Sequence, residues 1–255
     1  MAEYLEAATE AARLAGTHQR EQFGTLHGHE YKSPGDPVSA VDHESERLII
    51  EHLTARFPGC AILSEERGGV GDGEERWIVD PLDGTSNYVR GHPAFSVSIA
   101  LEIAGELRVG VVYVPMRDDL YAVSRDSEGF DDGPAIGVSE TDRLDSALVA
   151  IPYSSSGTDR DDLWATHRTL GSAVEGLRST GSGALDLAYL AAGITDAACG
   201  FGQSRWDRAA GLVLVEAAGG QVTDHEGRAD HDGDFVASNG LLHGDVLDDI
   251  GPGPV

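Results

Sequence analysis

Residues 77–88 read Trp-Ile-Val-Asp-Pro-Leu-Asp-Gly-Thr-Ser-Asn-Tyr, and this stretch decides how the rest of the chain is interpreted. The apolar run Trp77–Val79 predicts a short buried strand that delivers Asp80 at its end. Pro81 cannot continue a hydrogen-bonded ladder, and its fixed φ pre-sets a turn. We expect this turn to bring Asp83 back near Asp80.

A turn that gathers Asp80 and Asp83 has two interpretations. Converging carboxylates repel each other, and a divalent cation between them removes the conflict; oxygen-only ligands favour Mg²⁺ or Mn²⁺ over zinc. Gly84 and Thr85 follow with backbone N–H groups under little steric cover, which suits a phosphate oxygen. The alternative is an ordinary turn whose aspartates only cap backbone N–H groups.

Acidic residues elsewhere in the chain favour the first interpretation. Glu65 follows a second short apolar run, Ala61–Ser64, that predicts another buried strand. Asp207 stands at a predicted helix start after Trp206, where a simple N-cap is the alternative. Asp42 stands at the start of another predicted helix. The sequence therefore offers several carboxylates at element ends, where a shared site can form.

The order of predicted elements favours stacked α and β layers. In the first half, Phe95–Ile103 and Leu107–Val114 alternate as an antiparallel hairpin, and Leu120–Ser124 adds a strand. Helices and strands alternate in the second half. We expect two halves, residues 1–142 and 143–255, in one compact unit. Helices are predicted at Glu3–Gln22, Asp42–Arg56, Asp161–Leu170, Gly183–Ala192, Asp207–Ala218 and from Asn239 onward, with a loop over Gly68–Glu75.

The charge balance excludes several classes of partner. The 255 residues include 18 Lys+Arg and 44 Asp+Glu, a formal net charge of −26, and Lys32 is the single lysine. Phosphate backbones and anionic lipid surfaces attract the opposite charge, so we expect neither nucleic acid nor a membrane as partner. No apolar run is long enough to span a bilayer, and Met1–Glu6 lacks the features of a signal peptide. We expect a cytoplasmic protein.

Acidic side chains in place of surface lysine also indicate a protein that folds in concentrated salt. At 1 M salt the repulsion between surface charges is screened within about 3 Å. The alternative is an ordinary acidic protein whose charges are well spread. We therefore expect a halophilic source with a salty cytoplasm.

Four motifs, in order, resemble those of the inositol monophosphatase family of Mg²⁺-dependent, lithium-sensitive phosphatases. The resemblance covers nearly the whole chain and implies a phosphoric monoester hydrolase. It also implies the layered α-β-α-β-α sandwich (α/β, or α+β) of the inositol monophosphatase and fructose-1,6-bisphosphatase type, usually as a homodimer. The motifs are Asp36–Asp42 (DPVSAVD), Ser64–Glu66 (SEE), Trp77–Tyr88, and Trp206–Gly211 (WDRAAG) followed by Glu216–Gly220 (EAAGG).

The same resemblance assigns metal ligands to residues of this sequence. Glu65, Asp80 and the backbone carbonyl of Leu82 would bind one Mg²⁺. Asp80, Asp83 and Asp207 would bind a second, and a third, weaker ion would depend on Glu65. Mn²⁺ is the alternative metal. Most ligands then lie in the N-terminal half, while Asp207 and the substrate loop lie in the C-terminal half.

Two further charged residues, Lys32 and Glu66, lie next to these motifs in the sequence. The family often carries a lysine close to the third metal, and Lys32 stands just before the first acidic motif. Glu66 either supports Glu65 or is a solvated neighbour.

The resemblance also implies how water and substrate are handled. Glu65 and the Thr85 hydroxyl would orient and deprotonate the attacking water, and Asp42 would hydrogen-bond Thr85. The loop Arg178–Ala184 would meet the substrate's hydroxyls; the alternative is a helix N-terminus capped by Ser182. The phosphate would rest on the N–H groups of Gly84 and Thr85. The implied substrate-binding residues are Asp83, Gly84, Thr85, Gly181, Ser182, Gly183 and Asp207.

The range of candidate substrates is narrowed by Thr85–Tyr88, which resembles the corresponding segment of the sugar- and inositol-phosphate branch. The 3′-phosphonucleotide branch usually has Lys-Glu after Asp-Gly-Thr, and the histidinol-phosphate branch has Arg-Ala; these two remain the alternatives. Animal members carry a glutamate seven residues before the last metal aspartate, where this chain has Gly200. We therefore expect inositol-1-phosphate, fructose-1,6-bisphosphate or both. A non-catalytic ligand-binding relative is a further alternative, but the implied ligands and Thr85 are all present.

Overall fold

A computed structural model describes residues 1–25, 28–33, 36–125, 136–153, 160–229 and 233–250. The helices of these ranges are α1 (Ala2–Gln22), α2 (Ala40–Arg56), α3 (Thr85–Val89), α4 (Arg160–Ala173), α5 (Gly183–Ala191), α6 (Arg205–Ala217) and α7 (His243–Ile250). The strands are β1 (Glu30–Ser33), β2 (Asp36–Val38), β3 (Ala61–Ser64), β4 (Gly68–Val70), β5 (Glu75–Asp83), β6 (Ser96–Ile103), β7 (Glu106–Val114), β8 (Asp119–Ser124), β9 (Leu148–Ala150), β10 (Gly176–Arg178), β11 (Ala197–Gly200), β12 (Gln221–Thr223) and β13 (Phe235–Ser238).

The larger sheet has six strands in the order β4-β3-β5-β6-β7-β8. β3 runs parallel to β5, and the other neighbouring pairs are antiparallel. The predicted hairpin is confirmed as β6–β7, with Ala104 and Gly105 between the paired Ile103 and Glu106. Ala104 and Gly105 both have positive φ, of 52° and 84°, as a two-residue turn needs if it is to follow the twist of its strands.

The smaller sheet is built from the second half of the chain. Its five strands lie in the order β10-β9-β11-β13-β12. β10, β9 and β11 are parallel, whereas β13 and β12 are added antiparallel. A separate two-stranded sheet pairs β1 with β2. Parallel strands need crossover connections, and α4 and α5 supply them here.

The sheets and helices stack in five layers. α1 and α2 cover one face of the six-stranded sheet, and α5 and α6 lie between that sheet and the five-stranded one. α4 and α7 cover the outer face of the five-stranded sheet. Separate apolar clusters fill the interfaces between these layers. The predicted α-β-α-β-α sandwich is therefore confirmed.

α1 reaches the sheet through a face of small residues. Its buried alanines are Ala7, Ala8, Ala11, Ala12 and Ala15. Gly16 continues this face; a Cβ there would lie 2.4 Å from the ring of Tyr113, so only glycine allows so close an approach. One turn further, Gln19 donates through Nε2 to the carbonyl of Pro81, at 2.6 Å. The packing of α1 thus supports the Asp-Pro turn directly.

Some details of the sequence prediction are wrong, among them the start of α2, which is Ala40 rather than Asp42. β5 is not broken at Asp80-Pro81; it continues to Asp83, because Pro81 falls at an irregular point of the ladder where its missing N–H is not needed. The predicted Gly68–Glu75 loop begins with strand β4, which pairs with the free edge of β3.

The start of the last helix also differs from the prediction, since the helix begins at His243 rather than Asn239. The Asn239 side chain accepts hydrogen bonds from the N–H groups of Leu241 and Leu242, and so forms a turn ahead of the helix. The strands β10 and β12 were not predicted, because three residues are too few to show an alternating pattern. None of the helices in the described ranges combines the length and apolar character that a bilayer span requires.

Candidate active site

A bulge at the end of β5 places Asp80 and Asp83 in the same cleft. Asp80 pairs with Ser98 on β6, and Asp83 pairs with Ser96, so three steps along β5 match two steps along β6. In a regular strand, residues three apart point to opposite faces. The extra residue turns the second side chain back, and both carboxylates line one cleft of about 280 Å³.

Hydrogen bonds from the chain hold both carboxylates of this bulge. Oδ1 of Asp80 accepts from the N–H of Leu82, at 3.0 Å. Oδ2 of Asp83 accepts from the Ser182 hydroxyl at 2.6 Å and from the N–H of Ala184 at 2.8 Å. The aspartates therefore do cap backbone N–H groups, as the turn alternative proposed. Since Ser182 and Ala184 begin α5, the two halves of the chain meet at Asp83.

Gly84 turns the chain from β5 into the short helix α3. Its φ is +101°, and a Cβ would lie 3.1 Å from the carbonyl oxygen of Ala94 and 3.3 Å from that of Gly181. Both the backbone conformation and the space therefore require glycine. α3 has no side-chain cap at this end, so the first N–H groups of the helix are presented at the cleft.

The hydroxyl of Thr85 lies between two acceptors. It is 2.7 Å from Oδ1 of Asp42 and 3.0 Å from the carbonyl oxygen of Leu82. Asp42 is buried, and its Oδ2 accepts from both the N–H and the hydroxyl of Ser39, at 2.8 and 2.6 Å. Ser39 and Asp42 form the capping box of α2. The expected contact between Asp42 and Thr85 is thus present, on a carboxylate fixed by a helix N-terminus.

Glu65 follows β3, where its backbone N–H donates to the carbonyl of Val79 on the parallel strand β5. The ammonium of Lys32 lies 2.8 Å from Oε1 of Glu65 and 2.5 Å from Oε1 of Glu66. Lys32 therefore contacts the implied metal ligand, and Glu66 is its second partner rather than a solvated neighbour.

Asp207 lies in the first turn of α6, as predicted. Its Oδ2 accepts from the N–H of Ser204, at 2.9 Å, in a capping box. The capping alternative is therefore real, and it coexists with a place in the cleft that also holds Asp80 and Asp83. Sequence reasoning placed this helix start two residues late, at Asp207 instead of Arg205.

The pKa values of the cleft carboxylates show that they interact. Burial raises the pKa of Asp80 well above its ordinary value, and Glu65, Asp83 and Asp207 raise it further. Burial, Asp83 and Glu65 raise the pKa of Asp207 to about 8. Burial raises the pKa of Asp83 to about 6, although hydrogen bonds from Ser182 and the α5 backbone lower it in part. Ionising all of them together is unfavourable unless a positive charge joins them.

The donor set fits a hard divalent cation. It consists of carboxylate oxygens and one carbonyl, which Mg²⁺ and Mn²⁺ prefer, and it includes no histidine or cysteine. A cation would relieve the mutual repulsion that raises these pKa values. Within the described ranges, no group of three His, Cys, Asp or Glu side chains is arranged around one point as in a metal centre. Asp83, Asp207 and Glu65 instead each accept a hydrogen bond from a donor of the chain.

The predicted substrate loop forms part of the wall of the cleft. Gly181, Ser182 and Gly183 all line it. Ser182 also caps α5, accepting from the N–H of Leu185, so the capping alternative is present on a residue that lines the cleft. Asn87, which sequence reasoning missed, donates through Nδ2 to the carbonyl oxygens of Ala94 and Thr180, at 2.6 and 2.8 Å. It joins α3 to the loop, and its place within the Trp77–Tyr88 motif is the signal that marks it.

Two further residues of this wall were not predicted, Asp186 and Gln203. Burial raises the pKa of Asp186 to about 7, although hydrogen bonds from Thr180 offset part of the shift. Gly200, where animal relatives have glutamate, has no room for a side chain, because a Cβ would lie 2.1 Å from the ring of Phe235. The chain thus has no equivalent of that glutamate on β11.

Comparisons with known proteins agree with this fold. Residues 1–250 match the model of the inositol monophosphatase family. The chain is 39% identical over 251 residues to the inositol-1-monophosphatase of Mesorhizobium japonicum, covering 95% of this chain and 94% of that protein. It is 36% identical over 248 residues to the fructose-1,6-bisphosphatase/inositol-1-monophosphatase of Aquifex aeolicus, covering 96% and 94%.

The fold is also that of solved structures. The extragenic suppressor protein suhB of Bartonella henselae matches with a TM-score of 0.91 at 35% identity, covering 98% of each chain. Fold and relatives together define a phosphoric monoester hydrolase. The chain belongs to the inositol monophosphatase family, whose members generally depend on metal ions. The family predicted from the motifs is confirmed.

Proposed function

We propose that this protein hydrolyses a small sugar or inositol phosphate in a Mg²⁺-dependent reaction, with inositol-1-phosphate and fructose-1,6-bisphosphate as the candidate substrates. The observation that carries the proposal is the convergence of Glu65, Asp80, Asp83, Thr85 and Asp207 on one cleft. The names of the two relatives described above supply the two candidates.

The residues proposed to hold the metal are those that the motifs indicated. Glu65, Asp80 and the carbonyl of Leu82 would bind one ion, and Asp80, Asp83 and Asp207 a second, with a third, weaker site at Glu65 and with Mn²⁺ as an alternative. When bound, Mg²⁺ supplies activation of water near neutral pH and positive charge for the phosphate oxygens. Mutual repulsion among these buried carboxylates supports the proposal.

The chain's own groups then orient the reactants. Because the Thr85 hydroxyl donates to Asp42, its oxygen is left as an acceptor that can hold the O–H of a water. Glu65 is the proposed acceptor of the water's proton. The N–H groups of Gly84 and Thr85, at the uncapped start of α3, are proposed to hold the phosphate. Asp83, Asp207 and the loop Gly181–Gly183 would face the alcohol portion.

The remaining assignments are proposals of the same kind. The halves 1–142 and 143–255 are proposed to act as one unit, supported by the contact of Asp83 with Ser182. We propose a cytoplasmic homodimer with a small phosphorylated substrate. The net charge of −26 argues against nucleic acid and anionic membranes as partners.

The test is phosphate release from a panel of esters by the intact chain with Mg²⁺. Inositol-1-phosphate, fructose-1,6-bisphosphate, 3′-phosphoadenosine 5′-phosphate and histidinol phosphate separate the branches of the family. We expect the highest kcat/KM with one of the first two. A highest kcat/KM with either of the last two would assign the chain to another branch, and no release from any ester would indicate a non-catalytic relative.

A further inference from the structure

Two buried oxygens on the wall of the cleft have no hydrogen-bond partner among the described residues: Oδ2 of Asp186 and Oε1 of Gln203. Asp186 is 2% exposed, and its Oδ1 accepts from the N–H of Thr180, at 3.2 Å. A buried acceptor without a donor costs about 1–3 kcal/mol. In folded proteins such a group is usually satisfied by a water, an ion or a ligand, and these two atoms lie on the wall of a cleft.

The two oxygens belong to the same part of the wall. Asp186 lies one turn after Gly183 on α5, so the two residues share a face of the helix. The Gln203 amide packs directly on Gly183, because a Cβ on that glycine would lie 2.0 Å from Nε2 of Gln203. Both Asp186 and Gln203 line the cleft that holds Thr85 and the carboxylates.

This wall is suited to hydroxyl groups and unsuited to phosphate. Above the pKa of Asp186, as at the pH 8 of the test below, both unpartnered atoms are acceptors, so a ligand must bring O–H or N–H donors to them. A phosphate group at alkaline pH brings only acceptors and negative charge, which the Asp186 carboxylate repels. No lysine or arginine among the described residues lines this cleft, and the ammonium of Lys32 is engaged by Glu65 and Glu66.

We propose that Asp186 and Gln203 are specificity-determining residues, which accept hydrogen bonds from the hydroxyls of a monophosphorylated polyol. The proposal rests on the proposed phosphatase function and deepens it. It favours inositol-1-phosphate over fructose-1,6-bisphosphate, because the second phosphate of a bisphosphate has no cationic partner among the described residues of this wall. It also provides hydroxyl recognition in a chain where Gly200 has no room for a glutamate.

The test compares kcat/KM for two esters at pH 8 with Mg²⁺. Inositol-1-phosphate has hydroxyls, and 4-nitrophenyl phosphate has none. The variant Gln203→Met keeps the bulk that packs on Gly183 and removes the acceptor. We expect its kcat/KM for inositol-1-phosphate to fall about five- to tenfold more than its kcat/KM for 4-nitrophenyl phosphate. A loss of this size corresponds to one lost hydrogen bond. Most of the loss should come from a higher KM. Gln203→Glu keeps an acceptor and should preserve more of the wild-type ratio.

A second variant and a control complete the experiment. Asp186→Asn replaces one acceptor by an N–H donor and should shift the ratio of the two esters in the same direction. Gln22→Met, on α1 away from the cleft, is the control and should leave the kcat/KM for both esters, and therefore their ratio, unchanged. Equal losses on both esters in the Gln203 and Asp186 variants would overturn the inference, as would a wild-type kcat/KM for fructose-1,6-bisphosphate at or above that for inositol-1-phosphate. No release from either ester by the wild type would instead remove the proposed function.

Discussion

The Thr85 hydroxyl donates a hydrogen bond of 2.7 Å to Oδ1 of Asp42, a carboxylate that also caps α2. The hydroxyl has a single hydrogen to donate, and its oxygen, which also lies 3.0 Å from the carbonyl oxygen of Leu82, keeps its lone pairs as acceptors. A water bound there would be held with its lone pairs directed away from Thr85. The relationship therefore links the start of one helix to the proposed orientation of the nucleophile.

The first prediction follows from this contact. Thr85→Ala should lower kcat by roughly 10²-fold or more, the scale of a lost proton-transfer arrangement, while Thr85→Ser should retain far more activity because it keeps the hydroxyl. Steady-state kinetics with inositol-1-phosphate measure the effect. Thr54→Ala, on the exposed face of α2, is the control and should behave like wild type. A normal kcat in Thr85→Ala would mean that another group orients the water.

A second prediction concerns salt. The folded chain of net −26 concentrates repulsion that the unfolded chain spreads over a larger volume. The Debye length falls from about 10 Å at 0.1 M to about 3 Å at 1 M, so repulsion between neighbouring carboxylates is largely removed in molar salt. We expect the thermal midpoint, followed by circular dichroism in a KCl series, to rise. A flat or falling midpoint would remove the inference of a halophilic source and leave the site untouched.

A third prediction concerns His243, whose ring is buried between two hydroxyls. Thr223 Oγ1 lies 2.9 Å from Nε2, and Ser238 Oγ lies 2.9 Å from Nδ1. Burial lowers the pKa of His243 below 6.5. The unfolded chain therefore binds this proton more readily than the folded protein does. The contribution of His243 to stability is complete above pH 6.5 and is lost as the pH falls toward the folded pKa.

Other groups in the protein titrate in the opposite sense, so the measurement is a difference. Folded Asp83 and Asp207 have raised pKa values, and protonating them favours the folded state as the pH falls. Urea unfolding of wild type and His243→Gln between pH 8 and pH 5 isolates the histidine. The free energy of unfolding of wild type minus that of His243→Gln should become smaller as the pH falls below 6.5. His29→Gln, at an exposed position, should show no such trend; a constant His243 difference would contradict the assignment.

The sequence predicted what depends on short-range pattern. Trp77–Tyr88, the β6–β7 hairpin and the α1 helix all carry periodic or turn-forming residues that act locally. The bulge between Asp80 and Asp83 was missed, because its position depends on the register of β5 against Ser96 and Ser98. Cleft residues far in sequence from the motifs were missed for the same reason, since only the folded chain brings them to the site.

Gln203 and Asp186 show this limit most clearly. Neither stands in a motif, and Gln203 meets Gly183 only when β11 and α5 pack together. Gly200 appeared in the sequence only as a missing glutamate, and the structure supplies the cause in the ring of Phe235. Tertiary packing, rather than local propensity, decides which residues form this wall of the cleft.

The central claim is that the carboxylates of one cleft hold the metal that hydrolysis requires. The measurement that tests it most directly is release of inorganic phosphate from inositol-1-phosphate across a Mg²⁺ series, with and without chelator. Wild type should saturate with Mg²⁺, lose activity in EDTA and recover when Mg²⁺ is restored. Asp83→Asn and Asp207→Asn keep an oxygen acceptor but remove a charge, and each variant should lose most of its phosphate-releasing activity. Full activity in excess chelator, or normal activity in both variants, would contradict the account.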